Sequence, residues 1–287
     1  MATKTKEIPK KIGNIKNEIN PPISVKRHDD STGRWYHPTL TWWRENEDKK
    51  AEEVPLDAYR ISTTSFLNAI AKGPGFDRWL GNAKSYEDAM AYASERAMKG
   101  TMVHAAVEWL LHGDTVDTDT AFIDSHTGEF YPWDDEHRKY IMSFLEFYKT
   151  TEFDTEATEV SIWHHDHPTA GTVDWVVQAK HKKTKKWERW MIDFKTGNAY
   201  DTHQLQLSDY KMLWDLQFPD QKIDHIAGLY LKSGWRENPN FKFVVYDFRP
   251  DIVKNVFEIW KFSNPKAAPK FKKEYPATFE LEEKETK

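Results

Sequence analysis

Two aspartates and a lysine lie in two neighbouring segments in which polar and apolar residues alternate. Asp174 ends the run GTVD, and Asp193 and Lys195 belong to the run IDFK. Because residues two apart in a β-strand share a face, Asp193 and Lys195 are expected on the same side. The basic residues 181–186 form a natural turn, and a pairing symmetric about it sets Asp174 opposite Asp193. The spacing therefore predicts two carboxylates about 5 Å apart with an ammonium group beside them.

Two carboxylates at that distance repel each other unless one is protonated or a cation lies between them. Mg²⁺ and Mn²⁺ prefer oxygen ligands, so the pair predicts a divalent cation site. Lys195 would then lie beside the cation, where it can contact a phosphate or a water molecule. The alternative is a surface hairpin whose acids face each other without a ligand. The lysine two residues beyond Asp193 favours the cation site.

Two further pairs of polar residues are spaced four apart, which is one helical turn. His104 and Glu108 lie in the run GTMVHAAVE and share a face at the edge of an apolar helix surface. Each alone would more often be a core histidine or a solvated glutamate, but together they supply an imidazole and a carboxylate. Gln206 and Tyr210, in the run QLSDY, share the face of a later helix and could hydrogen-bond a phosphate or orient Lys195. The alternative for that helix is an ordinary amphipathic one.

The run HHDHP at residues 164–168 contains three histidines. Adjacent residues of an extended chain point apart, whereas zinc needs a compact set of ligands. We therefore expect a loop there and not a zinc site. The lysines of the turn at 182–186 are expected to keep the end of the hairpin charged, in preference to contacting DNA.

Apolar periodicity predicts the elements that position these side chains. Helices are expected over 85–111, with Gly100 as a possible break, and over 136–148, 201–216 and 251–262. Strands are expected over 157–163, 172–178, 187–194, 226–232 and 241–248. The order of helices, three strands, helix, two strands and helix predicts an α/β fold with a mixed sheet flanked by helices.

The length of 287 residues suits one large domain or a domain with insertions. We expect an N-terminal arm and linker over 1–54, partly mobile, and a main domain over 55–269. That domain divides into a helical part, 55–150, and a sheet core, 151–269. A C-terminal tail follows over 270–287.

Composition excludes several classes of protein and of site. The net charge of −5 excludes a uniformly basic DNA-coating surface, so nucleic acid would need a local positive groove. The absence of cysteine excludes disulfides, iron–sulfur clusters and thiolate zinc sites. Because there is no membrane-length apolar run and no hydrophobic signal region, we expect a cytoplasmic protein without membrane contact.

The runs GTMVHAAVE, GTVDWVV, MIDFKTG and QLSDY, in this order within about residues 60–215, resemble the RecB-like branch of the PD-(D/E)XK nuclease superfamily. Upstream, ISTTSFL and FDRW look like the corresponding segment of phage-encoded and mitochondrial single-strand DNA exonucleases of that branch. Each motif alone is degenerate, but four motifs in the same order and spacing are specific. Branch members with a four-cysteine iron–sulfur cluster are excluded, because this chain has no cysteine.

The resemblance implies a restriction-endonuclease-like αβββαβ core that hydrolyses DNA phosphodiester bonds with Mg²⁺ or Mn²⁺. It implies four metal ligands: His104, Asp174, Asp193 and the backbone carbonyl of Phe194. It further implies that Lys195 orients or activates water and that Glu108 completes the site through a second metal or bound water. Gln206 and Tyr210 would hold DNA or support Lys195.

Several functions remain open at this point. The first is an exonuclease that acts on DNA ends in replication, recombination or repair, with DNA and a recombination or replication protein as partners. The second is a structure-selective endonuclease. A non-catalytic DNA-binding protein with the same fold and a metal hydrolase acting on a small molecule are further alternatives. The oligomeric state and the polarity of digestion cannot be predicted from the residues.

Overall fold

A mixed β-sheet with helices on both faces forms the centre of this α/β protein, whose computed structural model describes residues 19, 21–70, 74–125, 127–150, 152–180 and 183–271. The strands are β1 (Val25–Asp30), β2 (Gly33–Pro38), β3 (Arg60–Ser62), β4 (Phe122–Ile123), β5 (Phe130–Tyr131), β6 (Phe153–Trp163), β7 (Thr169–Lys180), β8 (Trp187–Lys195), β9 (His225–Leu231) and β10 (Phe241–Tyr246). The helices are α1 (Leu40–Asn46), α2 (Thr63–Phe66), α3 (Pro74–Gly81), α4 (Tyr86–His112), α5 (Asp135–Tyr148), α6 (Asp201–Gln217) and α7 (Pro250–Ser263). The mixed sheet confirms the predicted fold class at this level.

Strand order places a gap next to β7. The order is β1-β2-β3-β7-β8-β9-β10, with β6 also paired to β7. Ala170 pairs with both β3 and β6, so those two strands lie on opposite edges of β7. Strand β8 pairs with β7 through residues 175–180, on the edge that β3 also uses. Along that edge, residues 171–174 have no ladder partner among the described strands, and we call this stretch the sheet gap.

Large apolar side chains hold one helical layer on each face of the sheet. Helices α4 and α5 cover one face, where Phe144, Trp175 and Phe194 are almost completely buried. Helix α6 covers the other face, where Trp214 packs against Met191. Because burial of such side chains is worth roughly 1.5–3 kcal/mol each, these contacts set the positions of α4 and α6 relative to the sheet gap.

Of the two alternatives left open by the sequence, one helix or two divided at Gly100, the structure has one: α4 runs unbroken for 27 residues. Its start is capped by the side chain of Ser85, which accepts from the backbone N–H of Asp88. It ends at Gly113, whose φ of 86° is the left-handed conformation that glycine adopts readily. A Cβ added at Gly100 would lie 3.6 Å from Oγ1 of Thr196, an ordinary van der Waals contact, so the packing there does not require a glycine.

The prediction of an arm and linker over 1–54 is wrong for residues 25–46. Strands β1 and β2 form a hairpin, β2 pairs with β3 of the central sheet, and α1 follows directly. Trp35 and Tyr36 of β2 are buried, but β1 is an edge strand with mostly charged residues, which hides the period of two. The predicted helical part, 55–150, likewise contains strands β3, β4 and β5.

The remaining parts of the chain termini lie partly outside the described residues. Residues 1–18 and 20 of the predicted arm and residues 272–287 of the predicted tail are not described. At the start of the tail, the backbone N–H of Lys270 donates to Asp30, and the ring of Phe271 lies 4.9 Å from that of His28. Within the described ranges, no helix is long and apolar enough to span a membrane.

Candidate active site

Asp174 lies at the end of the sheet gap and turns toward α4. Its Oδ2 accepts a 2.7 Å hydrogen bond from the backbone N–H of Phe194 and lies 3.5 Å from Nδ1 of His104. Burial raises the pKa of Asp174 to about 6, since it outweighs the lowering effect of His104, and the carboxylate of Asp193 raises it further. A nearby positive charge would therefore stabilise the ionised form of Asp174.

The hairpin register predicted from the sequence is confirmed, but it ends one residue before the predicted pair of aspartates. The pairs run from Lys180–Trp187 to Trp175–Ile192. Beyond them, the backbone N–H of Phe194 bonds to the side chain of Asp174. The expectation that Asp174 and Asp193 form a directly opposed strand pair is therefore wrong, although their carboxylates remain close enough to interact electrostatically.

Asp193 is held by a lysine and a glutamine. Its Oδ2 lies 2.6 Å from Nζ of Lys195, and its Oδ1 accepts a 3.1 Å hydrogen bond from Nε2 of Gln206. The amide oxygen of Gln206 in turn accepts from Nζ of Lys195 at 3.5 Å. Burial works to lower the pKa of Lys195, but the carboxylates of Asp193 and Asp174 outweigh it and raise the pKa. Lys195 is thus a cation at neutral pH, able to donate hydrogen bonds.

The backbone carbonyl of Phe194, which the resemblance implies as a metal ligand, orients the ring of His104. Its Nε2 donates to the backbone oxygen of Phe194 at 2.9 Å. Its Nδ1 then faces Oδ2 of Asp174 at 3.5 Å and Oε1 of Glu159 at 3.9 Å. A histidine whose second nitrogen is held by a carbonyl is the usual arrangement of a metal ligand. In this structure the Phe194 carbonyl accepts that hydrogen bond and thereby fixes the ring.

Glu159 completes this cluster, and the sequence reasoning missed it. It lies on β6 between the pairs Thr158–Trp175 and Val160–Val173, and so stands opposite Asp174. Its φ of 49° is in the left-handed region, which is strained for a residue with a side chain. Burial, followed by the charges of Asp174, Glu108 and Asp193, raises the pKa of Glu159 to about 9.

The donor set fits a hard divalent cation. Among the described residues, one group of three offers ligand atoms that all lie within 4.8 Å of one another: His104, Glu159 and Asp174. One imidazole nitrogen and two carboxylate oxygens suit Mn²⁺ or Mg²⁺. The raised pKa values of both acids also fit, because a bound cation would offset the burial and the repulsion that disfavour their ionised forms.

Two predicted ligands lie beside the cluster and not within it. Asp193 forms an ion pair with Lys195. Glu108 lies one turn beyond His104 on α4, half-buried, and burial raises its pKa against the opposing effect of His112. Its charge also raises the pKa of Glu159, so Glu108 contributes to the field around the cluster. Neither residue contributes an atom to the 4.8 Å group.

Tyr210 occupies the space above the sheet gap, one helical turn after Gln206. It is buried, and its ring lies where a side chain at Gly171 would extend: an added Cβ would be 2.3 Å from Cε1 of Tyr210. The glycine is required because the tyrosine ring packs directly on the strand backbone. The described hydrogen bonds to Lys195 and Asp193 come from Gln206, so the predicted support of Lys195 falls to that residue.

We expect Gly171→Ala to destabilise the protein by about 1–3 kcal/mol, because the new Cβ displaces the ring of Tyr210. The change would be measured as a lower urea midpoint in equilibrium unfolding followed by far-UV circular dichroism. Gly81→Ala is the matched control, since nothing lies within 4 Å of a Cβ there and alanine suits the helix better. Equal midpoints for Gly171→Ala and wild type would show that the ring moves aside freely.

The histidine-rich run forms a loop, as predicted. His167 is buried, with its Nδ1 2.9 Å from Oγ1 of Thr169 and its Nε2 3.4 Å from Oδ1 of Asp209. The other oxygen of Asp209 accepts from Thr63 and Thr169 at 2.6 and 2.7 Å. This network joins α2, β7 and α6 and thereby supports the frame of the site. Residues 181 and 182 of the basic turn lie outside the described residues.

Two comparisons with known proteins identified no relative of this chain. The sequence matches no protein-family model, and a search of curated proteins returned no match.

Proposed function

We propose that this protein is a divalent-metal-dependent deoxyribonuclease of the RecB-like PD-(D/E)XK branch, acting on DNA ends in replication, recombination or repair. The observation that carries the proposal is the cluster of His104, Glu159 and Asp174 beside the ion pair of Lys195 and Asp193. A cation site next to a held ammonium group is what the hydrolysis of a charged phosphodiester requires.

The order of elements supports the same assignment. The succession α5, β6, β7, β8, α6 and β9 has the αβββαβ order that the sequence resemblance implies. Strand β8 is antiparallel to β7 and parallel to β9, so the strand bearing Asp193 and Lys195 lies inside the mixed sheet. We infer that these elements form a restriction-endonuclease-like core.

In the proposed mechanism, His104, Glu159 and Asp174 hold Mg²⁺ or Mn²⁺, which when bound neutralises the charge of the phosphodiester and lowers the pKa of water. Lys195 donates a hydrogen bond to a phosphate oxygen or to the attacking water. It is available for this because Asp193 and Gln206 hold its ammonium group in place. The Phe194 carbonyl keeps Nδ1 of His104 directed at the cluster.

The site is more open on one side than on the other. The side chain of Asp193 is 3% exposed, whereas those of Lys195, His104 and Glu159 are 22%, 26% and 33% exposed. DNA would approach from the exposed side, between α4 and β6. Because the net charge is −5, we expect DNA to bind only at this site and not over the whole protein surface.

The proposal is tested by incubating the full chain with end-labelled single-stranded, double-stranded and circular DNA in Mg²⁺, Mn²⁺ or chelator. We expect degradation of linear DNA with either cation and none with chelator. Asp174→Asn, purified in the same way, controls for contaminating nuclease. It removes one negatively charged ligand of the cluster at nearly constant side-chain volume, so its cleavage should be lost.

The substrates separate the alternatives. Intact circular DNA beside degraded linear DNA identifies an exonuclease, whereas cut circles identify an endonuclease. DNA binding without cleavage under every metal condition would reject the enzyme assignment in favour of a DNA-binding protein. Equal cleavage by wild type and Asp174→Asn would reject the site.

A further inference from the structure

An exposed tyrosine stands at the start of α6, five residues after Lys195. Tyr200 is 60% exposed and is the N-terminal capping position of that helix. A tyrosine side chain supplies no capping hydrogen bond there, and none is made. The residue type therefore has no evident role in starting the helix.

A row of aromatic side chains connects Tyr200 with the catalytic lysine. The ring of Tyr200 meets that of His203 edge-on at 5.5 Å, and His203 stacks on Tyr230 at 5.8 Å. Nδ1 of His203 is also 2.7 Å from the hydroxyl of Tyr230, which is 2.5 Å from the hydroxyl of Tyr246. The three inner rings are thus fixed by hydrogen bonds, and only the outermost ring is largely in solvent.

The inner end of this row lies directly beside Lys195. Tyr230 is the ladder partner of Lys195 on the neighbouring parallel strand, so the two side chains share a face of the sheet. Burial, together with the charge of Lys195, lowers the pKa of His203 to about 4, which keeps its ring neutral. A second cation, Nζ of Lys232, lies 5.7 Å from the ring centre of Tyr230.

We propose that Tyr200, backed by His203 and Tyr230, stacks on the nucleobase of the nucleotide next to the scissile phosphate. This inference rests on the proposed function and adds a substrate-positioning residue to it. Because a base stacks on a ring only when its own face is free, Tyr200 would favour single-stranded or frayed DNA at that position. Stacking on aromatic side chains is a usual means by which proteins hold unpaired bases.

The assignment follows from what each group in the row can offer. The ammonium group of Lys195 attracts the phosphate, and the exposed ring two side chains away offers an apolar face to the attached base. His203 and Tyr230 are engaged with each other and cannot turn outward without losing their hydrogen bond. A protein partner at this position would need a wider apolar surface, whereas one isolated ring suits a single planar group.

The test compares wild type, Tyr200→Ala and Tyr200→Phe on two single-stranded oligonucleotides, one with bases and one built of abasic nucleotides. Cleavage is measured with Mn²⁺, and binding is measured by fluorescence anisotropy with Ca²⁺. For Tyr200→Ala we expect KM and Kd for the base-containing strand to rise about tenfold, and values for the abasic strand to stay unchanged. Tyr200→Phe should behave as wild type, because it keeps the ring.

Trp187→Ala is the matched control, since Trp187 is a 45% exposed aromatic at the other end of β8. A purely structural role of Tyr200 would weaken both substrates equally and would overturn the proposal. Cleavage by wild type with no effect of Tyr200→Ala would reject the platform and leave the nuclease assignment standing. A Tyr200 effect on binding without any cleavage would reject the nuclease and retain the base platform. Absence of both binding and cleavage would reject both.

Discussion

Lys195→Ala is expected to reduce metal-dependent DNA cleavage by about a thousandfold, since a preorganised donor at the reacting phosphate contributes on that order to the rate. The ammonium group lies 2.6 Å from Asp193 and beside the ligand cluster, where a water molecule would replace it poorly. The measurement is the initial rate of release of labelled nucleotides in Mg²⁺ at saturating DNA.

The same change should also destabilise the fold by about 3 kcal/mol, because it leaves the buried carboxylate of Asp193 without its cation. Activity and stability must therefore be separated. Lys99→Ala is the matched control, since Lys99 is also buried and pairs with Glu136 at 2.6 Å and Asp134 at 2.9 Å. That variant should also lose stability but keep its activity.

A second variant sharpens the distinction. Combining Lys195→Ala with Asp193→Asn removes the unpaired charge, so stability should largely return while cleavage stays lost. If Lys195→Ala retained cleavage at temperatures where it is folded, or if the double variant regained activity, the catalytic assignment of Lys195 would be wrong.

Local patterns predicted much of the frame of the site. The register from Lys180–Trp187 to Trp175–Ile192 followed from the symmetry of one hairpin about its turn. The helix bearing His104 and the contact of Gln206 with Lys195 were also expected from residues close in sequence, whereas the hydrogen bond from Gln206 to Asp193 was not. Such features depend on the period of one element and on short connections, which the sequence carries directly.

The details of the ligand cluster depend on contacts between distant segments. Asp174 turns toward α4 because β3, more than 100 residues earlier in the chain, pairs with β7 only at Thr169 and Ala170 and leaves the sheet gap beyond. Glu159 joins the cluster through a left-handed φ of 49°, which strand periodicity does not predict. The burial that raises its pKa is likewise a product of the assembled fold.

The N-terminal hairpin of β1 and β2 was not predicted, for a different reason. Strand β1 lies at the edge of the sheet, and its residues are charged or half-exposed. An edge strand does not need an apolar face, and charges there also discourage pairing with other molecules. Its sequence therefore resembles a solvated linker, although β2 beside it buries Trp35 and Tyr36.

Glu159→Gln is expected to have opposite effects with and without a divalent cation. The pKa of Glu159 is about 9 in the folded protein against an ordinary value of 4.5. The folded chain thus keeps a proton that the unfolded chain releases, so the stability contributed by this group is full below about pH 4.5 and is lost as the pH rises toward 9. Glutamine removes that loss. In chelator at pH 8, the variant should unfold on the order of 5 °C above wild type, and the difference should shrink toward pH 5.

With Mn²⁺ the order reverses, because glutamine removes one negatively charged ligand. Thermal unfolding at increasing Mn²⁺ should show at least about a tenfold higher midpoint concentration for the variant, in the range known for weakened metal sites. Glu156→Gln is the control on the same strand: Glu156 pairs with Arg189 at 2.5 Å, so its loss should lower stability in chelator and leave the Mn²⁺ midpoint unchanged. A variant at Glu159 that is less stable in chelator, yet responds to Mn²⁺ as wild type does, would mean that this glutamate is a structural ion-pair residue and that the cation is bound elsewhere. Opposite effects of Glu159→Gln on thermal stability in chelator and in Mn²⁺ would distinguish a metal ligand from a structural acid. Only a metal-ligand carboxylate destabilises the fold when the cation is absent and stabilises it when the cation is bound.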